Sequence, residues 1–155
     1  MPNIRKLDKD GRRFVADMAR LLTPWGVPPV AARLYGYLLL CPHPVSLDQI
    51  TEQLEISKSS ASVAARLLES YTLARRHSEA GTKRALYAAA DDYEVMIRQQ
   101  NRLLDALAEQ LDIGARIAAS KPVSVRLEAM ADFYRVMRSA MEDAMSRWKR
   151  RGRPR

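Results

Sequence analysis

Ser46–Arg76 reads SLDQITEQLEISKSSASVAARLLESYTLARR, and its two helix starts decide the fold. Ser46 stands three residues before Gln49, so its hydroxyl can cap the Gln49 amide while the Gln49 side chain returns to the Ser46 amide. Val45, just ahead of the cap, can staple onto Ile50. A helix over Leu47–Leu54 follows. Beyond Glu55 and Ile56, Ser57 is a second good N-cap and opens another helix to about Ser70. Leu73–Ser78 and Arg84–Ala89 can then each be extended, and the link Glu79-Ala80-Gly81-Thr82-Lys83 holds the glycine that a hairpin turn uses. Two short capped helices followed by a hairpin are the ingredients of a winged helix-turn-helix, whose second helix can enter a DNA major groove.

Upstream, Leu7, Phe14, Val15, Met18, Leu21 and Leu22 recur at helical spacing until Thr23-Pro24-Trp25-Gly26 stops them. Pro28 and Pro29 suit a helix start, Val30–Leu40 reads as a largely buried helix, and Cys41-Pro42-His43-Pro44 ends it. Downstream, Asp91-Asp92 caps a long helix marked by Tyr93, Met96, Ile97, Gln100, Leu103, Leu104, Leu107 and Leu111, with Gly114 weakening its last turns. Lys121-Pro122 breaks the chain. Leu127, Met130, Phe133, Tyr134, Met137, Met141, Ala144 and Trp148 mark a last helix. The expected fold is mainly α with one small β-hairpin. Its divisions are an N-terminal helix over 1–27 used in core or dimerisation, a winged helix-turn-helix over 28–90, C-terminal dimerisation helices over 91–148, and a basic flexible tail over 149–155. Two terminal helices this apolar exceed what a small winged domain can cover, which favours a homodimer over plain internal packing.

The 155 residues are 47% hydrophobic and contain one cysteine, so a core forms without staples and no intrachain disulfide can close. The opening MPNIRKLDKD carries charge where a secretion signal would need an apolar run, and Leu38–Leu40 is far short of a membrane span. A cytoplasmic chain without membrane contact is expected. The net charge of +8 is placed unevenly. Lys149, Arg150, Arg151, Arg153 and Arg155 crowd the end, and between Ser57 and Leu86 six bases (Lys58, Arg66, Arg75, Arg76, Lys83, Arg84) face only Glu69 and Glu79.

On the second helix of the capped pair, Val63, Ala64, Leu67 and Tyr71 are expected to pack inward. Lys58, Ser59, Ser62 and Arg66 are expected to face out, a side without an acid until Glu69. Ser57, Ser59, Ser60 and Ser62 can donate to phosphates or base edges, free amides at the helix start favour anions, and Arg66 can reach a phosphate or guanine. Arg75, Arg76, Lys83 and Arg84 flank the hairpin turn, where a wing meets the backbone. The preceding helix, with Asp48, Glu52 and Glu55, suits a support held off the groove.

This string, with GTKRALYAA at Gly81–Ala89, resembles the winged-helix regulators of the MarR superfamily, most closely its GbsR-like branch. The resemblance covers roughly Arg33–Asp92. It implies an obligate dimer, a recognition helix beginning near Ser57, a wing from Leu73 to Ala89, and dimer contacts from terminal helices. Thr51 stands where an alanine is common, Glu55 where a glycine often makes the turn, and Ala61 where a larger apolar residue is frequent. A glutamate in a left-handed turn costs about 1 kcal/mol.

A homodimer on a roughly palindromic duplex site, acting as a repressor because occupancy alone blocks a promoter, is the expected function. The alternative is a winged-helix protein-interaction or assembly module. No paired carboxylates, nucleophile with base, phosphate loop or metal cluster points to an enzyme or a cofactor. Cys41 is either a peroxide-sensing thiol, as resemblance to some superfamily members suggests, or a small core residue. Trp25, Tyr35, Tyr37, Trp148 and Phe14 either pack or line an effector pocket, and the GbsR-like resemblance implies choline-type ligands held by cation–π attraction.

Overall fold

The computed structural model describes residues 6–152. The chain divides into two compact units, Met1–Asp91 and Asp92–Arg155.

The first unit opens with helix α1 (Lys9–Leu22), capped by Asp8, whose Oδ1 accepts from the Gly11 amide at 2.8 Å. A 3-10 turn, Thr23–Trp25, ends on Gly26 at φ 95°. Helix α2 (Pro29–Leu40) begins at the proline pair and buries Ala31, Ala32, Leu34, Gly36, Tyr37 and Leu38, which lie all round its surface. A helix apolar on every side is the centre of its domain. At Gly36 an added Cβ would come within 3.2 Å of the Val15 Cα, so the glycine is what lets α1 lie this close to α2.

Strand β1 (Val45–Ser46), helix α3 (Leu47–Leu54), helix α4 (Lys58–Ser70), strand β2 (Ala74–Ser78) and strand β3 (Ala85–Ala89) follow. The expected hairpin is present, but it belongs to a three-stranded antiparallel sheet in the order β1-β3-β2. β1 adds Val45 opposite Tyr87 and Ser46 opposite Leu86. A two-residue strand has no alternation to read, which is why the sequence hides it. β2 and β3 each begin one residue later than the pattern suggests, leaving Leu73 and Arg84 outside.

Both capped starts form as expected. The Ser46–Gln49 pair closes a full capping box, and Ser57 Oγ accepts from the Ser60 amide at 3.1 Å. Between them Glu55 adopts φ 55°, ψ 46°, so the glutamate does take the left-handed turn. The Arg33 guanidinium donates to the Leu54 carbonyl at 2.9 Å, satisfying an acceptor that the end of α3 leaves open. At the end of α4, Leu73 N–H bonds the Leu68 carbonyl and Thr72 N–H the Glu69 carbonyl. This is a Schellman closure with Thr72, at φ 61°, where glycine is usual. Leu34, Leu38, Ile50, Leu54, Ala61, Ala65, Leu68 and Tyr87 share one buried cluster, into which Ala74 and Val45 also pack.

The second unit is a hairpin of helices α5 (Tyr93–Ile117) and α6 (Lys121–Arg150). Asp92 caps α5 by accepting from the Val95 amide at 3.2 Å. Gly114 lies inside α5, and an added Cβ there would sit 3.1 Å from Leu127 Cδ1, so the position serves close packing on α6. The break falls at Ala118–Ser120 rather than at Lys121-Pro122, because Pro122 occupies the first turn of α6, where its missing N–H costs nothing. Lys149 pairs with Glu94 at 2.6 Å and Arg138 with Asp105 at 3.1 Å, and Arg135 pairs with Asp112. Partners fall in number on α6 as they rise on α5, as antiparallel helices require. The Lys149 and Arg135 partners hold the Glu94 and Asp112 carboxyls below the usual range.

The expected basic tail starts later than 149. α6 runs through Arg150, since bases in a last helical turn complement the exposed carbonyls. The remainder of that tail, 153–155, lies outside the described residues, as do 1–5 of the expected N-terminal segment.

Candidate nucleic-acid interface

The inward face of α4 differs from the one its larger side chains suggest. Ala61, Ala64, Ala65 and Leu68 are buried, while Val63 is 59% exposed and Tyr71 40% exposed. The buried four follow the i, i+3, i+4, i+7 rule and are small, which allows α4 to approach α2 closely. Leu67 alone of the expected inward set besides Ala64 is partly covered. The alanine spacing in the sequence carries this signal, although alanine is the smaller apolar residue.

Opposite that face, Ser59, Val63, Arg66 and Ser70 stand exposed at successive helical turns. No acid interrupts them. Arg66 Nε makes only a long 3.4 Å contact to its own helix at the Ser62 carbonyl, so the side chain is available to extend outward. Ser62 is half-buried on the flank of the stripe and Ser60 is exposed. Ser57 is committed to its cap, accepting from the Ser60 amide and donating to Ser60 Oγ at 2.9 Å, so its oxygen shapes the helix start.

Lys58 does not stand in an acid-free setting. Its Nζ lies 3.2 Å from Asp48 Oδ1, and both side chains are about two-thirds exposed, at 68% and 67%. An exposed pair of this kind is weak and exchangeable. Asp48, on the first turn of α3, therefore reaches the edge of the stripe that its helix was expected to avoid.

The wing carries its four bases exposed. Arg76 faces Tyr87 across the ladder and Arg75 faces Ala88, so these neighbours project from opposite faces of the ribbon. At the tip, Thr82 N–H bonds the Glu79 carbonyl at 3.3 Å, and Gly81 has φ 79°, the conformation that the third residue of a type II turn requires. Lys83 and Arg84 follow in the loop. Glu79 shares this tip, accepting from Thr82 Oγ1.

The residues singled out for an effector or redox role lie in different settings. Trp25 is 87% exposed on the 3-10 turn, Tyr35 is half-buried against the core, and Tyr37 is buried within it. Phe14 is 38% exposed on α1, and Trp148 meets Tyr93 edge-on at 6.1 Å in the second unit. Cys41 closes α2, its Sγ donating to the Tyr37 carbonyl at 3.2 Å. Burial pushes the Cys41 thiol up, away from the thiolate that peroxide chemistry needs. Among the described residues no group of three His, Cys, Asp or Glu side chains is placed to hold a metal, and no helix is long and apolar enough to cross a membrane.

A capped helix pair, an exposed second helix and a basic two-stranded ribbon define a winged helix-turn-helix protein. Residues 91–151 match the model of a family described as MmpR5-like MarR family transcriptional regulators. Among solved structures, the chain is similar to a protein described as a transcriptional regulator, at 27% identity and a TM-score of 0.82, over 91% of this chain and 99% of that one. It also matches the transcriptional regulator Tm0710 from Thermotoga maritima at 15% identity and a TM-score of 0.43, over 85% of this chain and 89% of that one. The transcriptional regulator SlyA matches at 18% identity and a TM-score of 0.39, with the same coverage of 85% and 89%. No curated protein matches the chain. The family match falls on the second unit, whereas the motifs that resemble the superfamily in the sequence lie over Arg33–Asp92.

Proposed function

We propose that this protein is a sequence-specific, double-stranded DNA-binding transcriptional regulator of the MarR type, working in the cytoplasm as a homodimer that represses by occupying a pseudo-palindromic operator. The observation that carries the reading is the outward stripe of α4. A helix free to enter a major groove needs short or basic side chains and no acids at its centre, and Ser59, Val63, Arg66 and Ser70 meet that need. The wing adds Arg75, Arg76, Lys83 and Arg84 where phosphate contacts fix register.

The dimer rests on the second unit. Leu103 (67% exposed), Ile117 (79%), Phe133 (58%) and Val136 (58%) leave more apolar surface open than a lone helical hairpin tolerates, and a second copy is the partner that would cover it. Within the superfamily, the GbsR-like placement rests on the Ser-Lys-Ser-Ser helix start and the Arg-rich wing, while the family model matched over 91–151 is the MmpR5-like one. A choline-type effector would meet Trp25 first, the most open of the aromatic rings considered for that role.

Selection of bound duplexes from a random pool tests the function. Enrichment of a two-fold symmetric site with half-site centres about 10 base pairs apart is the expected result. Recovery of an unenriched pool contradicts sequence-specific binding.

A further inference from the structure

Val63 is the one aliphatic side chain on the outward stripe of α4, and it is 59% exposed. It lies one turn from Ser59 and one turn from Arg66, at the centre of the face that the proposed function turns toward the major groove. Ser59 and Arg66 on either side of it carry hydrogen-bond donors, while the Ser70 hydroxyl donates to the Leu67 carbonyl at 2.6 Å. Val63 can neither donate nor accept, and its branched side chain does not favour the helix it sits on. Val63 borders the open apolar groove that Pro28, Val30 and Leu67 also line, yet it stays 59% exposed, and the buried face of α4 is filled by Ala61, Ala64, Ala65 and Leu68.

In a major groove one base-edge feature suits an aliphatic group: the 5-methyl of thymine. Every other edge presents a donor or acceptor that an apolar contact would strip of water without replacing the bond. We infer that Val63 is a specificity residue that packs on a thymine 5-methyl group in each half-site, with Ser59 and Arg66 reading or anchoring on either side of it. The inference rests on the duplex-binding reading above. It adds a base identity that the charge of the stripe does not supply.

The test uses the full chain and the duplex recovered by selection. Each thymine is replaced singly by uracil, which removes the methyl group and leaves every hydrogen-bonding atom in place. One position per half-site is expected to weaken wild-type binding about four-fold, the worth of burying one methyl group. Val63→Ala is expected to bind the thymine and uracil duplexes equally at that position, and to match the wild type on the uracil duplex. With Val63 so exposed, the thermal midpoint of the variant should stay close to that of the wild type, which confirms an intact fold. The inference is overturned if no thymine is sensitive to uracil, or if Val63→Ala keeps the wild-type preference for thymine. Either result leaves specific duplex binding by the chain standing. Failure to select any duplex removes the function itself and the inference with it.

Discussion

In the first unit Leu34, Leu38, Ile50 and Leu68 are fully buried, whereas in the second the buried positions are Asn101, Ala108, Ala115 and Ala131. Large buried side chains supply most of the apolar transfer energy of a core, and alanines supply little. The first unit therefore draws more apolar transfer energy from its own buried side chains. The second brings two long helices together through small residues and ion pairs, and leaves Leu103, Ile117, Phe133 and Val136 more than half exposed. Under the proposed dimer, stability and assembly are separated along the chain: the first unit positions α4, and the second supplies the surface for a second copy.

The comparison breaks most visibly in the core of the first unit. Ile50→Ala, at a position with no exposure, should destabilise by about 2–5 kcal/mol and be read as a lowered urea midpoint. A loss under about 1 kcal/mol, the range of shape-tolerant swaps, would mean the core is looser than its burial implies. In the second unit, Phe133→Asp should instead act on assembly. Phe133 is 58% exposed, so folding tolerates the change, while self-association should weaken at least ten-fold in sedimentation at micromolar concentration, roughly what one interface anchor is worth. A wild-type chain that sediments as a monomer under those conditions would end the dimer reading.

Much of this was legible in the sequence because the deciding signals are local. The capping box at Ser46, the cap at Ser57, the Asp92 cap and the glycine at the wing turn each depend on residues three or four apart, and each appears where the spacing puts it. What was not legible depends on distance in the chain. β1 exists only because Tyr87 and Leu86 lie beside it, and the pairing of Lys58 with Asp48 depends on how α3 meets α4. The inward face of α4 is hidden in the sequence for another reason: large apolar residues are normally inside, and Val63 and Tyr71 are exceptions that a close helix contact through alanines produces.

A smaller effect sharpens the account of the helix pair. Glu55 at φ 55° holds a conformation in which a side chain is strained, so Glu55→Gly should raise stability by about 1 kcal/mol and lift the melting temperature by a few degrees. Unchanged or lower stability would mean that the glutamate side chain offsets the strain through contacts of its own.

The central claim concerns where α4 presents its charge, and the salt dependence of duplex binding by wild type and Arg66→Ala tests it most directly. The wild type should show log affinity falling linearly with log salt. Arg66→Ala should weaken binding about ten-fold at low salt and make the slope of log affinity against log salt shallower by about one, the effect of losing one cationic anchor. Binding that ignores salt, or an Arg66→Ala variant that binds as the wild type does, would contradict it.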